Sequence, residues 1–144
     1  MNDTLERTEI TDEDFEYAAN ALRTLPFAQL MGMELTELRM DEAVIQIAMR
    51  DDLRQPSGVL HGGVTATLID TAMAFAVRTR LAREEATATI DLTVHYLRPH
   101  LEGVFSCKAK VVRAGKRIFT VSAEVYGENG KLIATALSTY TRVL

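Results

Sequence analysis

Hydrophobic and polar residues alternate along four stretches in the second half of the chain, and this pattern predicts β-strands. Each stretch has one apolar and one polar face, as in an antiparallel sheet that packs on one side only. The four stretches are residues 86–97, 104–113, 117–126 and 131–143. Residues 34–40 and 43–49 predict two further strands that form a hairpin, with a tight turn between them.

Two other stretches predict helices. The first helix is expected to begin near Thr11, with an acidic first turn, and to end before Pro26. Residues 27–33 then form a connecting turn. The longest apolar run, VLHGGVTATLIDTAMAFAV at residues 59–77, lies within a second predicted helix that spans about residues 60–83. This helix is apolar nearly all round, so other elements must surround it.

The order of the elements, α-β-β-α-β-β-β-β, predicts an α+β fold. Only one long helix is available to cover the apolar face of about six strands, so we expect a curved antiparallel sheet wrapped around a long central helix. The free sheet edge and the remaining apolar surface indicate self-association. A chain of 144 residues suits a single domain. We predict a flexible N-terminus at residues 1–10 and one domain at residues 11–144.

Composition and charge narrow the class of protein. The chain is 47% hydrophobic and 25% charged, with a net charge of −4, which is typical of a soluble globular protein and argues against broad nucleic-acid binding. Cys107 is the only cysteine, so no disulfide forms within the chain and a reducing compartment is favoured. The acidic start lacks the apolar core of a signal peptide. We therefore expect a cytoplasmic protein with no nucleic-acid or membrane partner.

The apolar run carries the candidate chemistry. It holds two titratable side chains, His61 and Asp70, and the glycines Gly62 and Gly63 fall where the helix should begin. A buried carboxylate is costly unless it is hydrogen-bonded or paired. The first N–H groups of a helix lack acceptors within the helix and favour negative charge. The pattern predicts a catalytic carboxylate and an oxyanion site on one helix.

Simpler structural roles compete with this interpretation. Asp70 could serve only to bind a buried hydroxyl such as that of Thr67 or Thr71. His61 lies at the positive end of the helix, which opposes protonation, so a structural or carbonyl-orienting role is favoured over proton transfer. The three histidines are dispersed and the chain has no GxSxG motif, so neither a metal site nor a serine triad is predicted.

Three segments of the chain resemble those of proteins with the hot-dog fold. More narrowly, they resemble the phenylacetate-pathway-type acyl-CoA thioesterases of the 4-hydroxybenzoyl-CoA thioesterase superfamily, in which the segments follow the same order. They are QPSGVLHGG at residues 55–63 followed by Asp70, TIDLTVHYLRP at residues 89–99, and GKLIATA at residues 130–136. The resemblance covers about residues 27–143. It implies hydrolysis of acyl-CoA thioesters, without a metal or a cofactor other than the coenzyme A of the substrate.

The resemblance also implies catalytic roles. Asp70 would act as general base or nucleophile at the thioester carbonyl, and the Gly62 N–H with Gln55 would polarise that carbonyl. His61 would hold the loop or the carbonyl side of the substrate, and Thr89 would place the attacking water. Because Thr89 lies on the polar face of its predicted strand, a bulge or a subunit interface must bring it to the site. The site would be shared across a homodimer, and such dimers often pair into homotetramers.

Substrate-binding residues are implied in the same way. Gly63 lies beside the oxyanion site. The basic turn that contains Arg113, Lys116 and Arg117 would contact the phosphates of coenzyme A, although a solvated hairpin tip is the simpler interpretation.

Two other functions stay open at this stage. One is a hydratase or dehydratase on the same fold, and the other is a non-catalytic acyl-CoA sensor. The sequence leaves the acyl group open, because the depth of the acyl pocket depends on how several large side chains pack across the dimer. These side chains are Phe27, Met31, Met33, Met73 and Phe75.

Overall fold

Six antiparallel strands surround one long helix in the computed structural model, which describes residues 7–143. The helices are α1 (Asp12–Thr24), α2 (Pro26–Met31) and α3 (Gly62–Arg78), and the strands are β1 (Glu34–Arg39), β2 (Glu42–Ala48), β3 (Ala86–Tyr96), β4 (Val104–Ala114), β5 (Ile118–Gly127) and β6 (Leu132–Val143). The strands lie in the order β1-β2-β4-β5-β6-β3, so β1 and β3 form the two edges. The predicted α+β architecture, a sheet around a central helix, is confirmed. The predicted flexibility of residues 1–10 concerns mostly residues 1–6, which lie outside the described residues.

The first helix begins where its capping residues predict. Thr11 and Asp14 form a capping box, in which each side chain accepts a hydrogen bond from the other residue's backbone N–H. The predicted connecting turn at residues 27–33 was wrong, because most of it forms α2. Pro26 occupies the first turn of α2, and Gly32 ends it with a φ of 76°, in the left-handed region that glycine adopts most easily.

The central helix α3 is shorter than the predicted range of residues 60–83. The Thr79 hydroxyl donates to the Ala76 carbonyl at 2.7 Å and accepts the Asp41 N–H at 2.9 Å. The following residues form tight turns with bonds to the carbonyl three residues earlier. A side chain that bonds to the local backbone competes with the helical pattern, and here it fixes the end of α3 against the β1–β2 turn.

The core lies between α3 and the inner face of the sheet, where α3 packs against five strands. Its fully buried side chains include Ile45, Ile47, Leu68, Ile69, Met73, Phe105, Val121 and Val125. Alternate residues of β4 and β5 are buried as predicted. Cys107 belongs to this layer, and burial raises the pKa of its thiol, so it stays protonated and packs as an apolar residue.

Candidate active site

Asp70 lies in the middle of α3, half-buried, and its carboxylate is bound by two hydroxyl groups. Oδ1 accepts hydrogen bonds from Thr89 Oγ1 at 2.7 Å and from the Tyr140 hydroxyl at 2.6 Å. Thr89 comes from β3 and Tyr140 from β6, and the two residues are direct partners across these strands. The structure thus brings two predicted site residues, Asp70 and Thr89, into contact.

A β-bulge in β3 turns Thr89 toward the helix. Thr89 pairs with Tyr140, while Asp91 pairs with the preceding residue of β6, so Ile90 is the extra residue. The prediction that Ile90 shares the apolar face of Leu92 was wrong, because Ile90 is 55% exposed. Side chains alternate with a period of two, so one extra residue shifts the alternation and lets Thr89 face α3. A bulge was one of the two arrangements that the sequence required.

Two further hydrogen bonds hold the bulge in place. Asp91 Oδ1 accepts the Thr139 N–H at 2.9 Å, and the Ser138 hydroxyl donates to the Asp91 carbonyl. Ser138 is 2% exposed, so its hydroxyl needs a partner inside the protein. These contacts fix where the alternation of β3 changes, and with it the direction of Thr89.

Sequence reasoning missed Tyr140. It is one more apolar position in the alternating pattern of β6, and the residue it contacts is 70 positions away. The ring is 1% exposed. Burial, and then the hydrogen bond to Asp70, raise the pKa of the Tyr140 phenol, so this hydroxyl remains a neutral donor.

The start of α3 forms the second half of the predicted site. His61 caps the helix: its Nδ1 accepts the Gly63 N–H at 2.9 Å, and its carbonyl accepts the Val64 N–H at 3.0 Å. This contact stabilises the start of α3, and a further role of His61 toward the substrate carbonyl stays a prediction. Of the first N–H groups of α3, those of Gly63 and Val64 are therefore engaged, which leaves that of Gly62 for an incoming oxygen. The Tyr96 hydroxyl donates to the Gly62 carbonyl at 2.7 Å.

Gln55 lies in the loop before α3, on the wall of the same cavity as Gly62. The cavity has a volume of about 460 Å³ and also involves Gly63 and Tyr96. The loop is held by Arg54, whose guanidinium donates to the Gly58 and Leu101 carbonyls at 2.8 and 2.7 Å. Gln55 and the start of α3 therefore form one cluster, as predicted.

One chain does not bring the two halves of the site together. Gly62 and Asp70 are eight residues apart on α3, which corresponds to about 12 Å along the helix axis. They also line different cavities. Asp70 groups with Thr89 and Tyr140, whereas Gly62 groups with Gln55.

The basic turn between β4 and β5 lies at the other end of the molecule. Arg113, Lys116 and Arg117 are exposed, and Lys116 shares a cavity with Arg80, beyond the C-terminal end of α3. Within one chain Lys116 and Gly62 line different cavities. A ligand bound at Gly62 could therefore contact this turn only if the turn belonged to a second copy of the chain. Their contact with coenzyme A stays a prediction.

An apolar groove runs between α1 and α3, and Asp70 forms part of its wall. We call it the α1–α3 groove; its volume is about 520 Å³. Its apolar lining is Ala18, Ala21, Leu25, Phe27, Leu38, Ala74, Phe75, Leu81 and Ala82, and charged side chains other than Asp70 also line it: Arg7, Asp14, Arg78 and Arg83. Of the side chains expected to set the depth of an acyl pocket, Phe27 and Phe75 lie in this groove. Met33 and Met73 are buried in the core instead.

Two further observations concern residues 7–143 as a whole. Within this range, no three His, Cys, Asp or Glu side chains are grouped so that they could bind a metal ion. None of the helices described above is both long and apolar enough to cross a membrane.

Known proteins are similar to this chain in sequence and in fold. The family model described as "Thioesterase superfamily" matches residues 57–134. The medium/long-chain acyl-CoA thioesterase YigI of Salmonella typhimurium is 32% identical in an alignment that covers 81% of this chain and 84% of that protein.

Solved structures agree. The conserved protein PA5202 from Pseudomonas aeruginosa is 28% identical, with a TM-score of 0.82 over 87% of this chain and 99% of that one. A variant of the phenylacetic acid degradation protein PaaI from Thermus thermophilus is 31% identical, with a TM-score of 0.76 over 83% of this chain and 100% of that one. The chain therefore belongs to the thioesterase superfamily, as a thioester hydrolase with the hot-dog fold.

Proposed function

We propose that the protein hydrolyses acyl-CoA thioesters to a free acid and coenzyme A. The observation that carries this proposal is the Asp70 carboxylate, which is held by hydroxyl groups on the wall of an apolar groove. A carboxylate so placed can act on a carbonyl whose acyl chain lies in the groove. The similarity to YigI, a medium/long-chain acyl-CoA thioesterase, supports the same substrate class here.

The reaction follows from the two halves of the site. The Gly62 N–H and the Gln55 side chain stabilise the negative charge that develops on the carbonyl oxygen. Asp70 either takes a proton from water, whose oxygen attacks the carbonyl carbon, or attacks that carbon itself to form an anhydride that water then cleaves. In the first route the C–S bond breaks and the thiolate of coenzyme A takes the proton from Asp70. In the second route the C–S bond breaks as the anhydride forms, and the water that cleaves the anhydride later supplies the proton to the thiolate. Thr89 would orient the water, and His61 keeps the helix start in place.

A homodimer would complete the site. β3 is an edge strand of 11 residues, and long edges pair readily with another chain. Thr89 binds Asp70 near one end of this strand, and Tyr96 binds Gly62 at the other end. Antiparallel pairing of two β3 strands about a two-fold axis near Thr93 would place Asp70 of one copy beside Gly62 of the other. We propose that both sites are shared in this way.

Larger assembly and coenzyme A binding extend the same proposal. In an antiparallel dimer, the C-terminal end of one α3 approaches the N-terminal end of the other. The basic turn with Arg113, Lys116 and Arg117 would then lie closer to a coenzyme A bound at Gly62 of the second copy, where its charges suit phosphate. We also propose that the dimers pair into a homotetramer, that the reaction requires no cofactor and that the protein is cytoplasmic.

The test is release of free thiol from a panel of aromatic and aliphatic acyl-CoA esters. We expect turnover by the wild type and its near-complete loss in Asp70→Asn, which removes the charge and keeps the shape. Asp52→Asn is the matched control, because Asp52 is a largely exposed carboxylate outside both cavities. Equal activity in Asp70→Asn and the control would refute the assignment.

Other outcomes identify the alternatives. Saturable binding of acyl-CoA without thiol release by the wild type would indicate a sensor. Addition of water to an enoyl-CoA would indicate a hydratase.

A further inference from the structure

We propose that Tyr140 is a positioning residue for thioester hydrolysis: together with Thr89 it holds Oδ1 of Asp70, so that Oδ2 is the oxygen that reacts. The proposal rests on the proposed function, and it concerns a residue to which sequence reasoning gave no role.

The geometry singles out one carboxylate oxygen. The Tyr140 hydroxyl lies 2.6 Å from Oδ1 of Asp70 and 2.6 Å from the Asp70 backbone carbonyl. A phenol has a single proton to donate. A hydrogen bond to an ionised acceptor is about twice as strong as one to a neutral acceptor, and a carbonyl within α3 already accepts a helical bond. The proton therefore goes mainly to Oδ1, which the Thr89 hydroxyl also contacts at 2.7 Å.

The other oxygen is left for chemistry. Among the described residues, both hydrogen bonds to the Asp70 carboxylate end on Oδ1. Oδ2 keeps its lone pairs for the proton of a water molecule or for the carbonyl carbon. Two donors on one oxygen also fix the plane of the carboxylate. A fixed reacting group saves the entropy of orienting it in each turnover.

Tyr140 is built to donate and not to react. Its ring is 1% exposed and lies in the sheet between Thr89 of β3 and Phe119 of β5, its partners across the two neighbouring strands. Burial favours the neutral phenol. It therefore cannot replace Asp70 as the base, and its contribution must pass through the carboxylate.

The experiment compares Tyr140→Phe with Tyr126→Phe. Both variants lose only a hydroxyl group, but that of Tyr126 donates to Glu124, two residues earlier on the same strand, β5. With an acyl-CoA that the wild type hydrolyses, we expect Tyr140→Phe to lower kcat at least about tenfold with little change in KM, because a charge-assisted bond to the reacting group is lost. Tyr126→Phe should match the wild type in both respects.

Thr89 provides a second test that does not depend on the fold of Tyr140→Phe. Thr89→Val should lower kcat in the same way with little change in KM, and Thr89→Ser, which keeps the hydroxyl, should restore the wild-type kcat. A purely structural role would lower the melting temperature without lowering the kcat of the folded protein, and that result would overturn the proposal. So would a kcat of Tyr140→Phe that matches that of Tyr126→Phe while Asp70→Asn is inactive. If Asp70→Asn is as active as the wild type, the proposed function itself fails.

Discussion

Replacing Gly62 by proline would remove one backbone N–H with little change in the path of the backbone. Gly62 is the first residue of α3, where proline is well tolerated because no helical acceptor exists for its missing N–H. The preceding residue, His61, has φ −64° and ψ 129°, which is the extended conformation that a following proline requires. The backbone is therefore already suited to Gly62→Pro.

The matched control is Gly62→Ala, which adds a Cβ and keeps the N–H. A Cβ at this position would lie 3.3 Å from two ring carbons of Tyr96, so a displacement of a few tenths of an ångström is needed in both variants. The cost of the Cβ is shared, so the two variants differ in the N–H and in the two further ring carbons that proline adds.

The expected loss follows from the role of the amide. Loss of one oxyanion donor costs about 3–4 kcal/mol in the transition state, or roughly 10²–10³ in kcat. Thiol release by Gly62→Pro should fall by this factor relative to Gly62→Ala, with a similar melting temperature and a similar KM. Equal kcat values for the two variants would show that the Gly62 N–H does not stabilise the oxyanion. The neighbouring Gly63 N–H could then take this role only after it had lost its hydrogen bond to His61.

Three further outcomes are expected. A one-to-one mixture of Asp70→Asn and Gly62→Pro chains, unfolded and refolded together, should regain about 25% of wild-type activity. Half of the dimers then pair one chain of each kind, and one of the two sites in each such dimer is intact; no recovery of activity would argue against a shared site. Ala74→Leu, one turn beyond Asp70 in the α1–α3 groove, should shift the preference toward shorter acyl chains, whereas Ala48→Leu at the exposed end of β2 should not, as competition between esters would show. Because burial raises the pKa of Tyr140 above its ordinary 10.0, the unfolded chain loses this proton first and the free energy of unfolding falls above about pH 10. The free energy of unfolding of Tyr140→Phe should therefore fall less between about pH 8 and about pH 11 than that of the wild type, as urea titrations at the two pH values would measure. An equal fall in both proteins would show that Tyr140 is not the group responsible.

Most of the fold could be predicted because its signals are local. Alternation of apolar residues located the strands to within a few residues, and the continuous apolar run located α3. The signals for α2 were also present, since Pro26 and Gly32 stand at its two ends, but six residues are too few for a helical period to emerge. The end of α3 depends on a contact between Thr79 and Asp41, which no local pattern contains.

The candidate site was predictable only in part. The HGG motif and Asp70 stand out because glycines and a carboxylate are unusual in an apolar run. Tyr140 does not stand out, because a tyrosine at an inward position of a strand is ordinary and only the folded sheet brings it to Asp70. Thr89 could be named from the resemblance, but its direction depends on a bulge fixed by Asp91 and Ser138.

That bulge divides β3 into two independent segments. The residues before Ile90 present Thr87 and Thr89 to the helix, and the residues after it present Leu92 and Val94. In each segment the side chains that face the helix alternate independently, so the polar pair of the site can vary without disturbing the apolar pair of the core. Removal of Ile90 would give one regular strand in which all four side chains still face the helix. Relatives that differ in length by one residue at this point can therefore keep both the hydroxyl at the carboxylate and the core beneath it, and such an insertion or deletion should be more readily tolerated here than elsewhere in the sheet.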